Sequence, residues 1–473
     1  MPSQPSNRLY AGLLLLSAIV VAASTMAAQN DGSVALSGTL MPGRPGETPY
    51  TVLAPAGWNG TLVLDLDFVT SWNPVHRQWF LEHGYAIGGI RRANNEASYA
   101  IRDYIDNLLS VRRALVERTG RAPSRTIATG VSRGAYVALA AIEAEPAVFD
   151  GAVALSGGSL GLVGRMLSKL DRTWALKTLV DPASPLTLVN LPALPLTAGR
   201  PAPYAEDIAL TALVERAKST PLGRARLMLA ASFDQVPRWG TRGSTLPAAD
   251  DYDAQLTQVV DNFGGGFNQS LRWAVETAAG GNVSWNENVD YAALLQRSGL
   301  SDLVEYAYRS AQADLDADLK QLARAPRIRA DEAALRRASQ RLLLNSGRVR
   351  GPVLIGTTEG DPAEPPSIES AYTAAVTSQC EREKGQACGE LLRTVYSHRP
   401  GHASWSVLER VTLFQALVNR LDAGRWGSGA DLPLLQSSAA RLKSATAADL
   451  GDERFVTLTP APALRTWDAR DAR

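Results

Sequence analysis

At 473 residues the chain is longer than the size at which a single core stops growing, so one large decorated domain or two domains are expected. Hydrophobic residues make up 45% and charged residues 20%, an ordinary globular composition. Lys and Arg number 48 against 47 Asp and Glu, and this near-neutral balance removes the electrostatic case for nucleic acid or an anionic membrane surface as a partner.

The chain opens with a short basic region at Arg8, an apolar run over residues 11–23 (AGLLLLSAIVVAA) and small residues with a cleavage point expected near Ala28. That is the layout of an export signal over residues 1–28, and an uncleaved N-terminal anchor is the alternative. No other stretch is apolar for long enough to cross a bilayer, so a secreted or periplasmic protein with no membrane span after cleavage is expected. In an exported protein Cys380 and Cys388, at close spacing, favour a local disulfide over two buried thiols. No HExxH or paired CxxC is present, so no zinc site is expected.

In chain order, residues 46–58 (GETPYTVLAPAGW) read as a strand and a Pro/Gly loop. After the Asn59-Gly60 turn a second strand follows at residues 61–69 (TLVLDLDFV). A helix is expected over residues 75–84, a strand over 85–90 and a helix over 99–119, where Ile101, Ile105, Leu108, Leu109 and Val111 recur at helical spacing. Residues 126–130 read as a strand, 135–144 as a small-residue helix and 150–156 as another strand. Strands alternating with helices argue for a mostly parallel α/β sheet covered on both faces. From residue 160 to 348 the pattern becomes amphipathic helix, with long runs over 208–233, 303–322 and 331–344. Strands return at 351–357 and 391–396, before a helix over 406–421. The expected organisation is a core formed by 29–159 and 349–430, a helical cap inserted over 160–348, and an Ala/Ser-rich tail over 431–473 with no assigned role. Such an insertion lies over the carboxyl ends of the strands, where open α/β sheets bind ligands.

Gly130-Val131-Ser132-Arg133-Gly134 matches G-x-S-x-G between a strand and a helix. The spacing has a steric reason: the serine sits on a tight, strained turn, so the residues two before and two after it are expected to be small. A second match, Gly157-Gly158-Ser159-Leu160-Gly161, falls where the chain leaves the sheet, and a Gly-rich exit turn explains it. Ser132 is therefore the candidate nucleophile and Ser159 its rival. A serine hydroxyl needs a base. His76 and His83 precede the serine beside an expected helix, where surface or structural roles fit. His402 follows the last strand on the loop Arg399-Pro400-Gly401-His402-Ala403-Ser404-Trp405 and is the candidate base, with His398 as competitor. A carboxylate must orient the imidazole. Asp361, in Glu359-Gly360-Asp361-Pro362 beyond the 351–357 strand, is the candidate, and Glu359 is the backup.

With the elbow GVSRG, the strand and acid GPVLIGTTEGDPAEPP and the loop GHASW, the chain resembles the α/β-hydrolase superfamily from about Tyr50 to Trp426, nearest to exported, capped esterase-like members. The resemblance implies that Ser132 attacks, His402 relays the proton and Asp361 orients the ring, without cofactor or metal. It also implies an oxyanion hole built from the backbone N–H of Arg133 and one from Phe68 or Val69. The chain departs from the superfamily after its third strand, where Asp67-Phe68-Val69 stands in place of the usual His-Gly. A carboxylate facing a developing oxyanion would repel it, so Asp67 points away, binds a substrate cation or signals altered chemistry. The expected function is hydrolysis of a small-molecule or polymeric ester, or a lactone, through an acyl-enzyme. The alternatives are an amidase or peptidase with the same triad, and a binding protein on a hydrolase scaffold. Trp174, Trp239, Trp273 and Trp285 fall in the insertion as pocket or helix-packing residues, Trp285 standing out because residues 282–286 (NVSWN) read as loop. Oligomeric state is not legible.

Overall fold

The computed structural model describes residues 22–24, 32–41, 47–92, 99–197, 200–201, 203–264, 269–342, 345–383 and 388–467. The expected export signal lies outside them except for Ala22–Ser24, a short edge strand (β1) that pairs antiparallel with Val34–Leu40 (β2). The chain continues through Thr48–Ala54 (β3), Thr61–Asp65 (β4), helices Phe68–Ser71 (α1) and Pro74–Glu82 (α2), Ala86–Ile90 (β5) and Ile101–Thr119 (α3). Arg125–Val131 (β6), Arg133–Ala144 (α4) and Gly151–Leu155 (β7) follow. The sheet resumes only at Val353–Gly360 (β10) and Leu392–Pro400 (β11).

The sheet runs β1-β2-β3-β5-β4-β6-β7-β10-β11, and all pairings from β5 to β11 are parallel. At the other edge β3 runs against both of its neighbours, β2 and β5, as β2 does against β1 and β3. The mostly parallel α/β class expected from the alternation is borne out. β4, β5 and β7 are buried at every position, as strands covered on both faces must be. One face carries α3 and α4, with Leu108, Leu115, Val137 and Ile142 in its core. The small residues of α4 leave nine consecutive positions, 134–142, buried against the sheet. The other face packs Trp79, Phe80, Leu413 and Phe414, from α2 and from Val407–Ala423 (here α15).

Among the described residues between β7 and β10 are the long helix Gly161–Val180 (α5), the antiparallel pair Leu196–Thr197 (β8) and Arg200–Pro201 (β9), and eight shorter helices. These are Ala205–Lys218 (α6), Pro221–Ser232 (α7), Tyr252–Asp261 (α8), Gln269–Ala279 (α9), Tyr291–Arg297 (α10), Ser301–Ser310 (α11), Leu315–Arg324 (α12) and Glu332–Arg341 (α13). They enclose their own core, including Leu176, Met228, Phe233 and Val304. Two runs read as single helices are each split. The 208–233 run breaks before Pro221, where Thr220 caps the new helix by accepting from Gly223 N at 3.0 Å. The 303–322 run breaks at Gln312, with φ 53°, and Asp314 caps the next helix. A polar cap residue beside a turn outweighed the continuous apolar periodicity.

After β10 come Glu369–Arg382 (α14) and β11, then α15, Leu432–Ala445 (α16) and Phe455–Val456 (β12). Cys380 and Cys388 form a disulfide, as expected. The tail has a role that composition did not reveal. β12 adds antiparallel to β11, Leu435 and Ala439 are buried on α16, and Arg465 reaches Asp171 on α5 at 2.6 Å. It therefore straddles the core and the helical block.

Candidate active site

Four loops leave the sheet at the carboxyl ends of β4, β6, β10 and β11, the end at which open α/β sheets place their chemistry. Ser132 leaves β6 with φ 56° and ψ −121°, a region few side chains enter and one that projects its hydroxyl off the strand end. Gly130 makes the turn possible, because a Cβ there would lie 2.1 Å from the backbone of Gly134. Gly134 does not share that constraint. A Cβ on it would come no nearer than 3.6 Å, to Asp67 Oδ2, so the expectation that both flanking glycines are sterically required is corrected to one.

His402 Nε2 lies 2.8 Å from Ser132 Oγ, and His402 Nδ1 lies 2.9 and 3.0 Å from the two carboxylate oxygens of Asp361. Asp361 is wholly buried and accepts from the backbone N–H of Ala363, Glu364 and Ala403 at 3.0, 2.9 and 3.2 Å. These bonds aim the carboxylate before any substrate arrives. Burial by itself would lower the His402 pKa, but Asp361, reinforced by Glu364, carries it above the ordinary value. The loop that delivers His402 is held from below. Glu409 closes a capping box with Ser406 at the start of α15 and takes bonds from Ser397 Oγ at 2.6 Å and Arg399 Nε at 3.0 Å.

The rival residues are engaged elsewhere. Ser159 is buried and donates to Glu369, whose carboxyl is pushed up to about 8 by burial, with Glu364 and Asp361 adding to the effect. His398 pairs through Nδ1 with Glu359 at 2.5 Å and packs on the Trp239 ring at 4.9 Å. His76 is buried between Trp72 and Phe80, and burial holds its pKa well below the ordinary value. His83 stacks on Trp79 at 4.2 Å. Trp174, Trp239 and Trp273 are buried in packing, and Trp285 is half-buried against the core.

The two expected oxyanion donors each begin a helix. Arg133 N–H opens α4 and Phe68 N–H opens α1, and first-turn N–H groups have no intrahelical acceptor. The expected strand over 61–69 therefore ends early, at Asp65, because Asp65 Oδ1 accepts from Asp67 N at 2.8 Å and turns the chain into α1. Asp67 is buried and faces the elbow, and its Oδ1 lies 2.9 Å from Arg92 Nε. Burial raises its pKa to about 6, Asp65 adds to this, and Arg92, Arg133 and Arg410 oppose it.

Sequence reasoning missed a buried ionic cluster behind the acid loop. Arg165, Lys169 and Arg172, spaced along one face of α5, surround Asp234: Lys169 Nζ is 3.1 Å and Arg172 Nη1 3.0 Å from Asp234 Oδ2, and Arg165 pairs with Oδ1. Arg165 Nε also donates to Ala363 O at 3.1 Å and lies 3.4 Å from Glu364, whose carboxylate accepts from Tyr136 Oη at 3.1 Å. Burial alone would raise the Asp234 pKa, but the three cations hold it well below the usual carboxylate range. Burial, helped by the neighbouring arginines, pushes Lys169 well down. The available signal was three cations at helical spacing inside an otherwise apolar run, GLVGRMLSKLDRTWALKTLV.

No protein-family model matches the chain. It is 29% identical over 411 residues to an o-phthalyl amidase from Xanthobacter agilis, covering 81% of this chain and 87% of that protein. Among solved structures, an esterase from Aspergillus oryzae aligns at TM-score 0.41 and 12% identity, over 83% of this chain and 80% of the esterase. A proline iminopeptidase from Mycobacterium smegmatis aligns at TM-score 0.34 and 12% identity, over 86% and 99% of the two chains. At these scores the fold rests on the strand order above.

Proposed function

We propose that this chain, an α/β-hydrolase by its strand order and its strand–turn–helix elbow, is an exported serine hydrolase that cleaves a carboxylic ester through an acyl-enzyme on Ser132. The observation that carries the reading is the hydrogen-bonded path from Asp361 through His402 to Ser132. In the first half-reaction His402 Nε2 takes the hydroxyl proton as Ser132 Oγ bonds to the carbonyl carbon. The N–H groups of Arg133 and Phe68 donate to the oxygen that gains the charge. The ester C–O bond then breaks, and His402 returns the proton to the leaving alcohol. Water next gives a proton to His402 while its oxygen bonds to the acyl carbon, and Ser132 departs with that proton. Asp361 keeps Nδ1–H oriented and stabilises the imidazolium throughout. Asp67, the departure from the superfamily pattern, is neutralised by Arg92, which limits its repulsion of the oxyanion.

Residues 160–348 act as the cap that selects the substrate. Export over residues 1–28 is supported by the Cys380–Cys388 disulfide, a bond that persists in oxidising compartments, and no described helix is long and apolar enough to cross a membrane. An amide substrate is the second reading, favoured by the amidase relative. The same triad serves, with His402 protonating an amine instead of an alcohol. The test is fluorophosphonate labelling with peptide mapping, beside Ser132→Ala and Ser159→Ala, followed by matched ester and amide panels. A stoichiometric adduct lost only in Ser132→Ala is the expected result. An adduct on Ser159 moves the nucleophile, and no adduct on folded protein leaves the binding-scaffold reading.

A further inference from the structure

We infer a second ligand site, for an organic anion bearing two or more acidic groups, in a groove of the helical block between α5 and α12. The groove has a volume of about 860 Å³ and is walled by Trp174, Lys177, Lys320, Arg324, Arg327 and Ile328, among others. That volume lies in the range of small-molecule sites. Its charge is one-sided: Lys177, Lys320, Arg324 and Arg327 line it, and none of its described lining residues is acidic. The chain as a whole is almost neutral, at +1, so a general basic character does not explain the patch.

Among the described residues, none of these four cations makes an ion pair, although many other Lys and Arg side chains in the molecule do. Lys320 and Arg324, four residues apart on α12, share a face and are exposed. Arg327 is built into the floor. Its guanidinium lies 4.9 Å from the Trp174 ring and 5.0 Å from the Tyr291 ring, yet its Nη1 is buried with no hydrogen-bond partner among the described residues. A buried donor left unmade is destabilising, and an oxyanion brought against it would satisfy it. The aromatic stacking fixes the fork in place, so little side-chain entropy remains to be lost on binding. The frame is firm as well, since Gln321 Nε2 ties α12 to Thr178 O on α5 at 2.9 Å and Trp174 Nε1 donates to Pro326 O at 3.1 Å. Apolar surface from Leu188, Pro326 and Ile328 suits the carbon body of such a ligand rather than a bare ion.

The groove is separate from the triad. Trp174 and Lys177 lie on the side of α5 away from Arg165, Lys169 and Arg172, which face the acid loop. Binding is therefore independent of the hydrolase reading. The test is isothermal titration calorimetry on the purified chain with citrate and with inorganic pyrophosphate, which separates carboxylate from phosphate recognition. The variants are Arg327→Gln and the double variant Lys320→Gln/Arg324→Gln, each checked for folding by circular dichroism. The expected result is one-to-one binding of at least one probe, weaker at high salt and weakened about 10-fold or more in both variants. Failure of both probes to bind the unmodified chain, or binding unchanged in the folded variants, overturns the inference.

Discussion

Two histidine–carboxylate pairs stand side by side at the ends of β10 and β11, and their differences explain why only one reaches Ser132. His398 and Glu359 lie on the strands themselves; His402 and Asp361 lie just beyond them, on the loops. Asp361 is fully buried and held by three backbone N–H groups, whereas the Glu359 side chain is 27% exposed and the His398 ring 44% exposed. The inner pair reaches Ser132 at 2.8 Å, while the outer pair ends against Trp239. The chemical types are matched in the two pairs. Position past the strand end and a buried, pre-aimed acid separate them, since a strand residue is committed to the pleat while a loop residue can fold back over the sheet edge.

The largest effects should fall on the inner pair. Ser132→Ala or His402→Ala is expected to lower kcat by about 10⁴- to 10⁶-fold, measured on whichever substrate the panel identifies. Asp361→Asn should cost about 10⁴-fold by presenting the wrong tautomer, whereas Glu359→Gln and His398→Ala should leave kcat within a few-fold. Equal losses in the two pairs would break the comparison.

A stability effect comes next. Arg165→Met removes one partner of a buried ionic cluster and is expected to lower unfolding free energy by about 3–5 kcal/mol in urea titration. Arg216→Met, at the exposed pair with Asp181, should cost no more than about 1 kcal/mol.

The pH dependence sharpens the same contrast. Because Asp361 raises the His402 pKa, the acid limb of kcat/KM should lie above the ordinary imidazole value, with activity falling as pH drops through it and His402 becomes protonated. In a weakly active Asp361→Asn background that limb should move to lower pH. For stability the sign is opposite. A raised folded-state pKa stabilises the protein fully below the unfolded value, and this contribution fades as pH rises through the folded one. A similarly small change is expected from Ser406→Ala, which loses the cap of α15 at about 1 kcal/mol of stability and should leave the inner pair's geometry in place.

Much of the core was legible because it follows short-range rules. The alternating strands, the helix over residues 101–119 and the elbow at Ser132 each depend on neighbours within a few residues. The candidate nucleophile, acid and base were singled out by their order and their places after strands, and the disulfide by its spacing. The split of two long helices was less legible, because Thr220 and Asp314 act through caps that compete with periodicity. Phe68 was placed on a strand for a similar reason: the bond from Asp67 N to Asp65 turns the chain, and alternation carries no trace of it.

The sequence by itself determined the mostly parallel sheet and set the candidate serine, aspartate and histidine just after strands, since these are written in local periodicity and motif spacing. Only the tertiary structure decided which histidine meets which acid, that Asp67 is answered by Arg92, that the tail joins core to helical block, and that Arg165, Lys169 and Arg172 close on Asp234 behind the acid loop. Those contacts join residues tens to hundreds of positions apart. They depend on burial and on directions in space that one-dimensional spacing does not carry.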